Sequence, residues 1–310
     1  MDGVSAYTFR PLDNVVHVDE KWFHLAKLNQ NIYIIPDEIV HKRSTANKNF
    51  IPKIMFLAAV AESRLDSLTG KYFDGKIGIW PLIQEVPAKR ASKNRPRGTP
   101  IKAPITVSRN VYRDIVVNSV IPMIKEKWPE GSSKTISIQH DNASAHDIRH
   151  HPDVIAAGCS DGWYISIVNQ PPKSPDLNAL DLGYFNSIQS LQYQKQAQNI
   201  DDLVSAVEAS FEELTSDKLE NTFMTLISVM KAIIEHKGDN DFKIPHASKA
   251  KKRRQGFFGE PEVVTISSVE EATEVLANMY ERLHDEGSID ERCDLFNDVG
   301  IPEEIEYYEF

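Results

Sequence analysis

The chain has 310 residues, 41% of them hydrophobic, and a formal net charge of −10; this suffices for one large domain with an appendage, or for two domains. No apolar run approaches the ~20 residues of a membrane-spanning helix, and the opening MDGVSAYTFR has no apolar signal-peptide core. Cys159 and Cys293 lie far apart and offer neither a disulfide framework nor a zinc site. An intracellular, reducing location without a membrane partner is therefore expected. The charge is unevenly spread: residues 259–310 hold 16 acidic and 2 basic residues (−14), whereas residues 1–258 hold 29 acidic and 33 basic (+4). A mildly basic body carries an acidic tail, the sign expected of a body that meets phosphate.

Residues 14–18 and 31–35 read as strands separated by the polar pair Asn29-Gln30. If the first strand runs on, Asp19 and Glu20 leave it on opposite faces, so only one reaches a common site. The continuous apolar run 54–61 predicts a strand buried on both faces, and 77–80 another, stopped by Pro81. Residues 89–109 hold no acidic residue but seven basic ones, Lys89, Arg90, Lys93, Arg95, Arg97, Lys102 and Arg109, with three prolines and one glycine. That composition predicts a long extended loop, either solvated or laid along a DNA backbone, where each neutralised phosphate adds salt-dependent affinity.

Residues 111–127 have helical spacing until Pro122, which should bend or restart the helix. Two buried strands follow, 135–139 and 164–168, and the first delivers Asp141 directly. His140, His146, His150 and His151 raise a zinc site, but no cysteine partners them; His146 fits better as a residue that orders the site or meets DNA. Asn178 is a suitable helix N-cap, which puts Asp181 at the third helical position. An acidic residue there favours the helix dipole, so a purely structural role would also account for it. Leu180, Tyr184, Ile188 and Leu191 form the stripe that packs this helix. Lys173, in the polar stretch before it, either contacts a phosphate or is solvated. Further helices are expected over 203–214 and 219–233. The run KKRR at 251–254 suits a nuclear-import patch, a DNA contact or a linker, and Val269, Ala272, Leu276, Met279 and Leu283 mark a narrow helical stripe in the acidic tail.

Three blocks, HVDEKWF, QHDNASAH and QPPKSPDLNALDLGYF, resemble in order the signature blocks of mariner-like DNA transposases. The interval of 39 residues between Asp141 and Asp181, with Asp in third place, resembles the plant-type branch in particular. The resemblance runs over roughly residues 13–247. It implies an α/β, RNase H-like mixed sheet flanked by helices, with a DDE/D nuclease site. Asp19, Asp141 and Asp181 take the metal-binding and catalytic positions, and Asn142 and His146 the accompanying ones. It also implies Mg²⁺ or Mn²⁺ as cofactor, DNA as partner, a homodimer, and cut-and-paste DNA transposition in the nucleus. Lys89, Arg90, Lys93, Arg95, Arg97 and Lys173 are the expected DNA contacts. The expected organisation is a catalytic domain over 1–250, a basic linker over 251–258 and an acidic, partly helical tail over 259–310. The family's helix-turn-helix modules, which precede the catalytic domain, are absent from these residues. A truncated transposase is therefore one reading, and a non-catalytic nucleic-acid- or protein-binding module derived from one is the other.

Overall fold

The computed structural model describes residues 6–9, 12–26, 51–91, 95–239, 241–245 and 262–285. They form two compact units. The larger holds the described residues from 12 to 227; the smaller holds residues 6–9, 228–239, 241–245 and 262–285. In chain order the strands are β1 (Ala6–Thr8), β2 (Val15–His24), β3 (Lys53–Ala61), β4 (Arg64–Leu65), β5 (Tyr72–Phe73), β6 (Lys76–Pro81), β7 (Ile83–Pro87), β8 (Pro100–Pro104), β9 (Thr135–His140), β10 (Tyr164–Asn169) and β11 (Val263–Thr265). The longer helices are α1 (Arg109–Ile115), α2 (Ile121–Lys127), α3 (Pro152–Gly158), α4 (Phe185–Gln192), α5 (Ile200–Glu213), α6 (Ser216–Glu235) and α7 (Ile266–Asp285).

The larger unit is built on a five-stranded sheet of order β10-β9-β2-β3-β6. β3 runs antiparallel to both β2 and β6, whereas β9 runs parallel to β2 and β10 parallel to β9. Three antiparallel strands followed by two parallel ones, with helices on both faces, make the expected α/β, RNase H-like mixed sheet. β3 sits near the middle and is buried from Phe56 to Ala61, as its unbroken apolar run requires.

β2 is longer than the sequence suggests. It continues through Asp19 to His24, paired with β3 from Val16↔Ala61 to His24↔Lys53, so Asp19 lies inside a strand. The strand tolerates the carboxylate because Asp19 stands opposite Ala58, whose small side chain leaves room. Alternation divides the residues of β2 between two cores. Val16 and Val18 join Tyr112, Val116, Val120, Ile121 and Ile124 of the α1–α2 segment. On the other face His17 meets Phe223 of α6, and Phe23 meets Phe56 and Phe185 of α4. Each of the Val, Ile and Phe side chains among these, fully buried, contributes about 1.5–3 kcal/mol.

Pro122 acts as expected, and the mechanism is visible. The five residues Val116–Val120 form a π-helical turn between α1 and α2, and the proline lies in the first turn of α2. Proline has no N–H to donate and its ring crowds the preceding turn; a widened turn absorbs both.

Residues 89–109 are not one irregular loop. β7 and β8 pair antiparallel from Ile83↔Pro104 to Pro87↔Pro100, making a two-stranded arm with Lys89, Arg90, Arg95 and Arg97 beyond its paired end. The prolines are compatible with this because a two-stranded ribbon has free outer edges that need no N–H. Arg109 opens α1. Lys93, the strand expected over 31–35 and the basic run 251–254 lie outside the described residues.

In the smaller unit β1 pairs antiparallel with β11, Ala6↔Thr265 to Thr8↔Val263. Lys231 of α6 meets Glu262 at 3.4 Å, and Lys237 meets Glu271 of α7 at 3.0 Å. The described part of the acidic tail therefore shares a unit with two segments from within residues 1–250. On α7 Ala272 is buried, while Leu276 of the same stripe is 49% exposed.

Candidate active site

The site forms where β9 ends and its parallel pairing with β2 stops, while β2 runs on beside β3. Their register pairs Val16 with Ile138 and His17 with Gln139; continued by two residues, it brings Asp19 level with Asp141. Asp181 arrives from a separate element. Asn178 is extended (φ −111°, ψ 122°) and fully buried. Its side chain accepts from Leu180 N–H at 3.0 Å, as the N-cap reading requires, and donates through Nδ2 to Val18 O at 3.2 Å. One residue thus starts the helical turn and fastens it to β2, one position before Asp19. The turn Leu180–Tyr184 is π-helical and is interrupted by Gly183 at φ +152°, a conformation L side chains rarely adopt. Leu180, Tyr184 and Ile188 are buried beneath it, and α4 continues from Phe185.

This packing brings the carboxyl groups of Asp19 and Asp181 within hydrogen-bonding reach. Burial, and next the Asp181 carboxylate, push the Asp19 carboxyl up to about 8, against the opposing N–H of Glu20, which donates to Asp19 Oδ1 at 2.7 Å. A half-buried carboxylate with a second, exposed one beside it is poorly stabilised alone and well stabilised by a cation between them. Their oxygen donors suit hard ions such as Mg²⁺ or Mn²⁺.

Asp141 is turned elsewhere. Its Oδ1 accepts from Ala143 N–H at 3.0 Å and lies against Nδ1 of His146. Among the described residues no group of three or more His, Cys, Asp and Glu side chains is arranged to hold a metal ion. The structure thus joins Asp19 to Asp181 directly and ties Asp141 to His146. Asn142 donates through Nδ2 to Gln170 O at 2.7 Å, which anchors the segment after Asp141 to the end of β10.

Of the four histidines, His140 and His146 stack with Tyr112, whereas His151 meets Arg113 and Asp153. His146 lies over Tyr112, with ring centroids 4.0 Å apart, and over His140 at 5.3 Å. His140 is held by Tyr112 Oη at 3.0 Å and Asn169 Oδ1 at 2.8 Å. Burial, reinforced by His146, lowers the His140 pKa to about 4. Burial also works against protonation of His146, but Glu20 and Asp141 outweigh it and raise its pKa. Glu20 was not among the expected site residues. Alternation placed it on the face opposite Asp19, and there its Oε1 meets His146 Nε2 at 3.0 Å. Tyr112 was missed as well, since nothing in its local sequence marks a buried tyrosine as a neighbour of Asp141; His140 was named only in the zinc reading and not as a partner of Tyr112.

Lys89, Arg90 and Arg97 are exposed and Arg95 is half-buried, all beyond the paired part of the β7–β8 arm. Lys102 is on β8 and pairs with Asp201 at 2.5 Å. Lys173 is exposed in a turn, at φ 58°.

No protein-family model matches this chain, and no curated protein does. Solved structures do. The Mos1 mariner paired-end complex with Mn matches at a TM-score of 0.47 and 18% identity, over 69% of this chain and 53% of that one. A pre-cleavage Mos1 transpososome matches at 0.48 and 16%, over the same shares. The Mos1 strand transfer complex matches at 0.46 and 18%, over 69% and 52%. The chain's match thus spans about half the length of these Mos1 chains.

Proposed function

We propose that this chain is the catalytic part of a mariner-like DNA transposase, in which Asp19, Asp141 and Asp181 hold Mg²⁺ or Mn²⁺ and act on phosphodiester bonds of DNA. The observation that carries the reading is the pairing of Asp19 and Asp181: two carboxyl groups from a central strand and a capped helical turn, brought together beside the end of β9. Apart from a cation site, such a pair has little to recommend it, because it weakens the metal-free fold.

The bound ions would supply activation of the attacking oxygen and neutralisation of charge on the phosphate. The chain's own residues supply position. Asp19 is fixed by β2, and Asp181 by Asn178 and the buried Leu180. Asp141 keeps Oδ2 available, since its other oxygen is occupied. Lys89, Arg90, Arg95, Arg97 and Lys173 would neutralise DNA phosphates along the arm and the turn. The reaction class is cut-and-paste transposition: hydrolysis at the element ends, then attack of the freed 3′-hydroxyl on target DNA. A homodimer in the nucleus is the proposed setting.

One observation favours a second reading. Asp141 is engaged by His146 and Ala143, as it would be in a transposase-derived binding module without chemistry. Purified wild-type protein is incubated with supercoiled DNA and Mg²⁺ or Mn²⁺, beside Asp19→Asn, Asp141→Asn and Asp181→Asn. Nicking by the wild type alone supports the catalytic reading. DNA binding without nicking by any of the four proteins supports the binding module.

A further inference from the structure

We propose that Glu20 is a positioning residue for Asp141, acting through His146; the inference rests on the metal-site reading above. Glu20 and Asp19 are successive residues of β2 and leave the sheet on opposite faces, so Glu20 does not share the Asp19–Asp181 contact. Its side chain is 9% exposed, and a carboxylate so enclosed needs a donor. His146 Nε2 supplies one at 3.0 Å. The imidazole plane is set independently by the stack on Tyr112 and His140, at interplanar angles of 27° and 22°. With the plane set by the stack and Nε2 set by Glu20, Nδ1 has one direction left, and it points at Asp141 Oδ1.

The same oxygen accepts from Ala143 N–H. The Ala143 N–H and the His146 ring against Oδ1 together set the rotation of the Asp141 carboxylate and leave Oδ2 as its outward acceptor; among the described residues no hydrogen bond ends on Oδ2. Carboxylates that bind metal are commonly oriented by hydrogen bonds of this kind, and loss of an outer partner costs about 10–100-fold in metal affinity. Glu20 therefore sets which oxygen of Asp141 is offered and in which direction, from the far side of the sheet.

The test uses the full chain and the variants Glu20→Gln, His146→Asn and both together, with two readouts. Mn²⁺ affinity is measured from the free Mn²⁺ signal in electron paramagnetic resonance. The amide resonance of Ala143, which donates to Asp141, reports the carboxylate position in metal-free protein by NMR. Each single variant is expected to lose about tenfold in Mn²⁺ affinity and to shift the Ala143 amide. The double variant should lose no more than His146→Asn alone, because Glu20 acts through the ring. Melting temperatures confirm folding, and should Glu20→Gln not fold, His146→Asn gives the same readouts with Glu20 retained. Unchanged affinity and an unmoved Ala143 amide in the single variants would overturn the inference, and so would additive losses in the double variant. A wild type that binds no Mn²⁺, with the Ala143 amide still shifted in Glu20→Gln, would remove the metal reading and leave the positioning of Asp141 standing.

Discussion

Asp19 and Asp181, far apart in sequence, bring their carboxyl groups within hydrogen-bonding reach beside the central strand β2, and burial together with Asp181 holds the Asp19 carboxyl at about 8. The folded protein therefore binds a proton on Asp19 that the unfolded chain, with an ordinary carboxyl near 3.8, has already released. Between those values the native state holds more protons, so stability falls as pH rises.

The metal-free protein should accordingly be most stable near pH 4 from this group, and should lose that contribution as pH rises through about 8. With allowance for partial solvent access, the loss is on the order of 1–3 kcal/mol. Asp19→Asn, which cannot ionise, should melt above the wild type at pH 8 in chelator and close to it at pH 4. Parallel melting curves for the two proteins across this range would show that Asp19 does not carry the effect.

Asn178 joins β2 to the turn that bears Asp181. Asn178→Ala removes an N-cap and leaves Val18 O without its side-chain donor in a buried place. The expected loss is about 1–3 kcal/mol, read from denaturant midpoints with unchanged slope. Asp181 should lose its fixed position too, so Mn²⁺ affinity should fall in a variant that still folds. A stability loss with unaltered Mn²⁺ affinity would confine Asn178 to the fold.

How much of this could be read from sequence depended on whether the signal was local. The apolar run of β3, the strand that delivers Asp141, the N-cap at Asn178 and the break at Pro122 are decided by nearest neighbours, and each stands in the structure as its residues require. The extent of β2 was not legible, because pairing with β3 carries the strand through two carboxylates that alone suggest a turn. The β7–β8 arm was hidden for the same reason: its prolines argue against a strand until a two-stranded ribbon with free edges is considered. Glu20 was dismissed on correct grounds, its opposite facing. What alternation could not reveal is that His146 comes round to meet it on that face.

The arm makes a separate prediction. Lys89→Ala, Arg90→Ala and Arg97→Ala should each weaken DNA binding and reduce the salt slope of log K by about 0.9. Lys102→Ala should change it less, because Lys102 already pairs with Asp201. Binding titrations from low to moderate salt provide the slopes. Equal effects from Lys102 and the exposed residues would mean that the arm contributes only general charge.

The acidic tail tests another charge argument. Removing residues 286–310, which lie beyond α7, deletes a run with more acidic than basic residues and should strengthen DNA binding most at low salt, where screening is weakest. Removing residues 259–310 also takes away β11 and the Glu262 and Glu271 partners of Lys231 and Lys237. The longer deletion should lower the melting temperature of the smaller unit, and the shorter one should leave it unchanged. Identical melting for both would contradict the pairing of β1 with β11.

The central claim is that Asp19, Asp141 and Asp181 share divalent metal. It is tested most directly by a crystal structure grown with Mn²⁺ and collected for anomalous scattering. The account predicts one or two anomalous peaks bound by Asp19 and Asp181, with Asp141 reaching the metal through Oδ2. No peak at the Asp19–Asp181 pair, at Mn²⁺ concentrations that saturate any binding seen in solution, would contradict it.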